Sequence, residues 1–146
     1  MDSRKIKIFR TLGACANGAR RRMESISVGN EYKGTQSKIL YYLLTHDNEE
    51  IYQKDIENEF DLRNPTVSEM LKKLENNGLV KRVQSEKDMR YKSIKPTEKA
   101  LGYKNQVLSD FDKFIDSMLD GISEKELEQF SKTLNTILEN LSKETR

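Results

Sequence analysis

Hydrophobic residues recur every three or four positions along most of this chain, which is the spacing of one face of an α-helix. The first such stretch predicts a helix from about Ser3 to Ile26, with Gly29 after its end. Its apolar positions alternate steps of three and four, as in a seam that packs against another helix. The residues of this seam are Phe9, Leu12, Ala16, Ala19, Met23 and Ile26.

Three shorter helices are predicted in the middle of the chain. The first follows Thr35 as its N-cap and ends at His46-Asp47-Asn48, and the second runs from Gln53 to about Phe60. A tight connection, Asp61-Leu62-Arg63, leads to the third helix, at about 64–77. Asn64 is its predicted N-cap, Pro65 suits its first position, and Asn77-Gly78 supplies its C-terminal stop. The inward residues of these helices are Ile39, Leu40, Leu43, Leu44, Ile56, Phe60, Val67, Met70, Leu71 and Leu74.

After Gly78 the apolar period changes from helical to alternating. Residues 79–83 and 90–95 alternate as strands do, and the polar stretch 84–89 between them is typical of a turn. A β-hairpin is therefore predicted, with Pro96 ending it.

Two long helices are predicted at the C-terminal end. Thr97 caps the first, which extends to about Met118, and Ser123 with Glu126 forms a capping box for the second. The last helix carries a 3-4-3-4 stripe that needs a partner, either within the chain or across a dimer. The stripe consists of Leu127, Phe130, Leu134, Ile137 and Leu141. The predicted fold class is mainly α with a small β-hairpin (α+β).

Composition and charge narrow the range of possible functions. Hydrophobic residues make up 35% of the 146 residues and charged residues 34%, which suits helices with narrow apolar stripes. Residues 63–96 carry nine basic and four acidic side chains, whereas the whole chain has a net charge of only +2. This local excess of positive charge is the electrostatic feature that a polyanion would bind.

The sequence gives no sign of membrane insertion or export. Its apolar runs fall short of the roughly 18 residues that a membrane span needs. The N-terminus, MDSRKIKIFR, lacks the apolar core of a secretory signal, and the single cysteine excludes an intramolecular disulfide. A cytoplasmic location and no membrane partner are expected.

Two helices joined by a tight turn and followed by a basic hairpin predict a winged helix-turn-helix, whose second helix enters the DNA major groove. The outward face of that helix offers Thr66, Ser68 and Glu69 to base edges. Lys72 and Lys73 lie one turn further on, where lysines contact phosphates.

The hairpin would then be the wing, with an arginine suited to a narrow minor groove. Lys87 and Arg90 lie in or beside its turn, and Lys92 follows on the return strand. Asp88 repels phosphate and is better suited to orienting the Arg90 guanidinium than to contacting DNA.

The chain resembles the MarR family of bacterial transcription regulators. The residues that carry the resemblance are GTQSKIL at 34–40, Ile56, Phe60, NPTVSEMLKKLE at 64–75, NGLVKR at 77–82, DMR at 88–90 and PTEKA at 96–100. Two departures stand out, since Tyr52-Gln53 replaces the usual Ser or Thr cap of the third helix and Ala100 replaces a common glycine. The second change is expected only to favour continued helix.

The resemblance implies a homodimer that binds near-palindromic double-stranded DNA, commonly as a repressor released by a small molecule or oxidant. It implies one MarR-like domain over 1–146, with a winged lobe at about 35–96 and dimerisation helices at about 3–27 and 97–143. No cofactor is expected. The candidate DNA-binding residues are Thr35, Gln36, Gln53, Arg63, Asn64, Pro65, Thr66, Ser68, Glu69, Lys72, Lys73, Lys87, Asp88, Arg90 and Lys92.

Three features are candidates for effector sensing. Cys15 lies in the first helix, where peroxide-sensing relatives carry a reactive cysteine. Its neighbours are small and the positions just after it hold no tyrosine, so a packed structural cysteine is favoured over a sensing one. Arg20, with several tyrosines, could line a pocket for an aromatic or lipophilic anion, or the tyrosines could belong to the core. Those tyrosines are Tyr32, Tyr41, Tyr42 and Tyr103. His46 and Cys15 alone cannot supply a nitrogen- and sulfur-rich zinc site, and His46 suits a helix end.

An enzyme and a protein-binding module are the two other function classes. An enzyme would need a nucleophile with its base, a metal cluster or a glycine loop for phosphate, and the sequence contains no such set. The remaining alternative is a winged-helix module that binds proteins without specific DNA binding. Such a module would have an uncharged or acidic wing, whereas residues 63–96 are basic.

Overall fold

The computed structural model describes residues 2–25, 27–28, 32–33 and 36–144. It is mostly helical, with short antiparallel hairpins, and the predicted fold class is confirmed. In chain order the elements are α1 (Ser3–Glu24), β1 (Ser27–Val28), β2 (Tyr32–Lys33), α2 (Gln36–Thr45), α3 (Gln53–Phe60), α4 (Asn64–Asn76), β3 (Val80–Gln84), β4 (Lys92–Pro96), α5 (Glu98–Gly102), α6 (Lys104–Leu119) and α7 (Glu124–Glu144).

The chain divides into two compact units, 1–111 and 112–146. The core of the first unit joins the inward faces of α2, α3 and α4 to the hairpin, as their apolar periods predict. Its fully buried side chains include Ile39, Leu40, Leu43, Leu44, Ile56, Val67, Leu71, Leu74, Leu79 and Ile94.

The helix-turn-helix is formed by α3 and α4. Asp61 ends α3 in the left-handed region, at φ 49°, and the Leu62 N–H donates to the Glu57 carbonyl. The predicted N-cap of α4 was one residue too late. Arg63 is the N-cap and Pro65 takes the second helical position, which still needs no backbone donor.

Gly78 ends this region and starts the wing hairpin. Its φ of 70° lies in the left-handed region that glycine adopts without penalty, as the Asn-Gly stop predicted. β3 and β4 pair antiparallel, with Val80 opposite Pro96 and Gln84 opposite Lys92. Each strand is one or two residues further along the chain than the alternation predicted. We call residues 80–96, including the loop 85–91, the wing.

The segment before α3 is joined to the wing by one isolated β-bridge. Ile51 forms a β-bridge with Ile94, whose N–H donates to the Ile51 carbonyl at 2.6 Å. No pattern in the sequence predicted this pairing.

The helix predicted after Thr97 is two helices in the structure. Thr97 is the N-cap of α5, as predicted, and its side chain accepts the Ala100 N–H. The helix then breaks at Tyr103, directly after Gly102, which is the weakest helix former in the segment. Ala100 itself lies within α5, as its helix preference predicted, but the prediction of one helix from Thr97 to about Met118 was wrong.

The N-terminal segment also differs from its prediction. α1 ends at Glu24, and Ser27 and Val28 belong to a small hairpin with Tyr32 and Lys33, so the helix is shorter than predicted. Thr35, the predicted N-cap of α2, lies outside the described residues.

α1 in the first unit and α7 in the second expose much of their apolar seams. Phe9 is 76% exposed on α1, and on α7 Phe130 and Leu141 are 52% and 60% exposed. The predicted capping box is present at the start of α7, since Ser123 N–H donates to Glu126 and Glu126 N–H donates to Ser123. Among the described helices, none is both long and apolar enough to cross a membrane.

Candidate nucleic-acid interface

One face of α4 builds the core and the opposite face is open. Val67, Leu71 and Leu74 are fully buried at helical spacing. The predicted contact residues on the other side are exposed, and Arg63 and Pro65 before them are exposed as well. The exposed contact residues of α4 are Thr66, Glu69, Lys72 and Lys73. The helix therefore offers hydroxyl, carboxylate and ammonium groups on one outward surface.

Three of the predicted residues meet at the start of α4. The Gln53 side-chain amide donates to Ser68 Oγ at 2.7 Å and lies 3.4 Å from the Asn64 carbonyl. Asn64 in turn donates to Glu57 at 3.2 Å. These bonds join α3 to α4. Because the Ser68 hydroxyl already accepts the Gln53 amide, it is less available to a DNA base than the Thr66 hydroxyl.

The charges of α4 are partly paired. Lys73 lies 3.4 Å from Glu69 one turn earlier, in an exposed ion pair of small expected energy. Arg82 of β3 pairs with Glu75 of α4 and ties the wing to the C-terminal half of the helix.

The loop of the wing presents an arginine held by a carboxylate. Arg90 donates from Nε and Nη2 to the two oxygens of Asp88, at 3.0 and 2.7 Å, and the Arg90 N–H donates to Asp88 at 3.1 Å. This contact lowers the pKa of Asp88 and raises the pKa of Arg90. Arg90 is nevertheless 79% exposed along its side chain, and its guanidinium lies 5.6 Å from the Tyr91 ring centroid. The predicted brace is confirmed.

The structure also describes the remaining predicted DNA-binding residues, with one exception. Lys87 in the wing loop and Lys92 on β4 are exposed, and Gln36, the first residue of α2, is half-buried. Thr35 lies outside the described residues.

The base of the wing holds a polar cluster that was not predicted from the sequence. Glu50 accepts hydrogen bonds from the Tyr52 hydroxyl, the Ser85 hydroxyl and the Glu86 N–H. These bonds, the Glu86 N–H first, lower the pKa of Glu50 to about 2. The only sequence signal was the alternation Glu50-Ile51-Tyr52 around one apolar residue, which is too short to identify a strand.

The candidate sensing residues do not form a common site among the described residues. Tyr41 packs against Phe111 at 4.9 Å between ring centroids, whereas Tyr42 packs against Phe60 and His46. Tyr103, like these two, packs against the core, so the core interpretation holds for all three. The side chain of Tyr32 is outside the described residues.

The other two candidates lie on α1, and His46 lies at a helix end. Arg20 is exposed and donates to Asn17 on its own helix. Cys15 is exposed, so the expectation of a packed cysteine is wrong for the isolated chain. His46 directly follows α2, as predicted, and its Nδ1 lies 2.8 Å from the Tyr42 carbonyl oxygen.

These elements define a winged helix-turn-helix protein with additional helices at both ends of the chain. The family model described as MarR family matches residues 34–92. The crystal structure of the transcription regulator MarR from Oenococcus oeni PSU-1 superposes with a TM-score of 0.84, at 30% identity over 90% of this chain and 98% of that one. The chain therefore belongs to the MarR family, whose members are transcription regulators and not enzymes.

Two further structures support the same assignment of fold. The S. aureus MepR–DNA complex superposes with a TM-score of 0.73, at 27% identity over 92% of this chain and 94% of MepR. The MarR protein from Peptoclostridium difficile DA00132 has a TM-score of 0.78 but 20% identity, over 99% of this chain and 91% of that one, and shows the fold alone. Among curated proteins, no sequence matches this chain.

Proposed function

We propose that this MarR-family regulator binds double-stranded DNA sequence-specifically as a homodimer, with α4 in the major groove and the wing at the minor groove. One observation carries the proposal. The segment from Arg63 to Pro96 has nine basic and four acidic side chains, and eight of the nine basic ones are exposed, Lys95 being half-buried. MepR, which shares 27% of its sequence with this chain, has been crystallised with DNA.

The exposed residues divide into two roles. Thr66 and Glu69, near the start of α4, have the donors and acceptors that read base edges, and glutamate can accept from a cytosine amino group. Lys72 and Lys73, one turn on, are suited to phosphates, which supply affinity without sequence information. Arg90, held by Asp88 and exposed, is suited to a narrow minor groove.

The second copy of the chain is proposed to cover the terminal helices. Large apolar side chains such as Phe9, Phe130 and Leu141 are exposed in the isolated chain, which is costly in water. A groove on α1, lined by Phe9, Leu12 and Ala16 among others, offers space for apolar groups. A two-fold dimer would place two copies of α4 on half-sites about one helical turn apart, roughly 34 Å.

Repression relieved by a small ligand completes the proposal. Its support is the family resemblance, and Arg20, Tyr41, Tyr42 and Tyr103 are the candidate ligand residues among those described. Their separate packing argues against a preformed pocket shared by Tyr41 and Tyr42. Oxidation of Cys15 is the alternative signal, and its exposure leaves the thiol accessible in the isolated chain.

Selection of bound fragments from genomic DNA, at about 50 and about 200 mM salt, tests the proposal because binding through several phosphates weakens steeply over this range. Recovery of a near-palindrome with half-sites one turn apart is the expected result. Salt-sensitive binding without a preferred sequence would contradict sequence-specific recognition. Absence of binding at both salt concentrations would reject the DNA-binding function and favour a protein-binding winged helix.

A further inference from the structure

The wing loop is organised around one buried serine. Ser85, the first residue after β3, is fully buried, and its Oγ accepts the N–H groups of Lys87 and Asp88 at 3.1 Å each. These two bonds fold the first half of the loop around the hydroxyl. The position of Asp88 therefore depends on the position of Ser85.

Ser85 is itself held by the segment before α3. Its Oγ lies 2.8 Å from Glu50 Oε2 and 2.8 Å from the Tyr52 hydroxyl. The β-bridge between Ile51 and Ile94 explains why both residues reach it. Alternate residues of an extended segment point to the same side, so burial of Ile51 leaves Glu50 and Tyr52 together on the other side.

The carboxylate of Glu50 is the acceptor at the centre of this cluster. The Tyr52 and Ser85 hydroxyls each donate to Glu50 Oε2 at 2.8 Å. Both protons can point to an ionised carboxylate, which also accepts the Glu86 N–H at 2.9 Å. These bonds, the Glu86 N–H foremost, lower the pKa of Glu50 to about 2, so the charged form is present near neutral pH.

A continuous series of contacts joins this cluster to the exposed arginine. Glu50 binds Ser85, Ser85 binds the Asp88 N–H, and Asp88 binds the Arg90 guanidinium. Two tyrosine rings form a second series of contacts. Tyr52 makes an edge contact with Tyr91, at 6.0 Å between ring centroids, and the Tyr91 ring lies beside the Arg90 guanidinium.

We propose that Glu50 and Tyr52 are positioning residues of the DNA-binding wing, which act through Ser85 and Asp88 to fix the place from which Arg90 contacts DNA. The inference rests on the proposed DNA-binding function and deepens it. Neither residue contacts DNA in this scheme. Both preorganise the wing, so less conformational entropy is lost when Arg90 binds.

The direction in which DNA affinity changes distinguishes this positioning role from a simple electrostatic effect of the Glu50 charge. A carboxylate beside a phosphate-binding surface repels DNA, so removing its charge alone should tighten binding. Loss of a positioning contact should weaken binding instead. Glu49 provides the matched control, since it is an exposed carboxylate in the same loop.

The test measures affinity for the selected operator with Glu50→Gln, Tyr52→Phe and the control Glu49→Gln, each in the wild-type and the Arg90→Ala background. Tyr52→Phe keeps the ring and removes only the hydroxyl. Each of the first two changes is expected to weaken wild-type binding about fivefold, the size of one hydrogen bond. Neither should weaken binding further once Arg90 is absent, and Glu49→Gln should leave affinity unchanged or slightly higher.

Hydrogen exchange on the same variants, without DNA, provides a second measurement. Faster exchange is expected at the amides of Glu86, Lys87 and Asp88, with unchanged exchange in α2 and α4. Unchanged exchange at the wing would overturn the proposal.

The affinity measurements separate this inference from the proposed function. Equal weakening in both backgrounds would mean that Glu50 and Tyr52 act independently of Arg90. Tighter binding would mean that the Glu50 charge alone determines the effect on affinity. Either result overturns the inference but leaves the DNA-binding function intact. Failure of the wild-type protein to bind duplex DNA would overturn the proposed function itself, and with it the role assigned to these two residues.

Discussion

The wing and the terminal helices differ in the kind of side chain that they expose. The wing exposes polar groups and holds them with internal contacts, such as the two bonds from Arg90 to Asp88 and the three bonds to Glu50. α1 and α7 expose large apolar groups instead, Phe9 and Phe130 among them. The first surface is stable in water before any ligand arrives. The second is unfavourable in water until another apolar surface covers it.

This difference distinguishes the part of the molecule that buries its apolar side chains within the chain from the part that leaves them for another surface to cover. The core of the winged lobe, from Ile39 in α2 to Ile94 in β4, is buried within the chain itself, together with Val107 and Phe111 of α6. The terminal helices have the apolar stripes of an interface, whose burial by a second copy would stabilise them. DNA binding and dimerisation should therefore be separable by mutation at the level of single side chains.

The largest expected effect comes from Leu134→Lys in the stripe of α7. A lysine at this half-buried position would introduce a charge into the proposed interface, and burying an unpaired charge costs several kcal/mol. The variant should lose the dimer, as measured by sedimentation equilibrium, and with it tight binding to a two-half-site operator. The winged lobe should keep its helical circular dichroism.

Asn135→Lys is the matched control for this change, because residue 135 is the exposed neighbour on the same helix. It adds the same charge outside the stripe and should leave the dimer intact. A folded Leu134→Lys dimer would contradict the assignment of the α7 stripe to the interface.

Arg90→Ala in the wing is expected to impair DNA binding alone. Loss of the exposed guanidinium should weaken operator binding by about 1–3 kcal/mol, roughly 5- to 150-fold, without affecting the dimer. Titration of labelled operator measures the change, and Lys113→Ala, an exposed lysine of α6, is the control. Wild-type affinity in Arg90→Ala would remove the wing from the DNA interface.

A smaller and different effect is expected from Lys72→Ala on α4. This lysine is assigned to a phosphate, so its loss should weaken binding to preferred and random sequences alike. The slope of log affinity against log salt should fall by about 1. A change in sequence preference, with the slope unaltered, would instead make Lys72 a base contact.

The elements that could be predicted are those that depend on neighbouring residues. Pro65, Gly78 and Thr97 act on the backbone beside them, and they placed the start of α4, its end and the start of α5 to within about one residue. The break at Tyr103 was missed because the apolar stripe continues across it, while Gly102 lowers helix stability only slightly.

The candidate site shows the same division between local and distant contacts. The Asp88–Arg90 contact spans two residues and could be inferred from the sequence. The contact of Glu50 with Ser85 spans 35 residues and depends on the bridge between Ile51 and Ile94, which no local pattern reveals. The contact of Glu50 with Ser85 therefore becomes evident only once the chain is folded.

The smallest expected effect is a pH dependence of stability at the base of the wing. The folded pKa of Glu50, about 2, lies below its ordinary value of 4.5, so the ionised cluster stabilises the protein above about pH 4.5. This contribution is lost as the pH falls from 4.5 towards 2. The thermal midpoint of wild type should exceed that of Glu50→Gln at about pH 6, and the difference should shrink at about pH 3. Glu126 also has a lowered pKa, but it lies on α7 and titrates in both proteins, so its contribution cancels in the comparison. A difference that stays constant between the two pH values would mean that the Glu50 charge does not stabilise the fold.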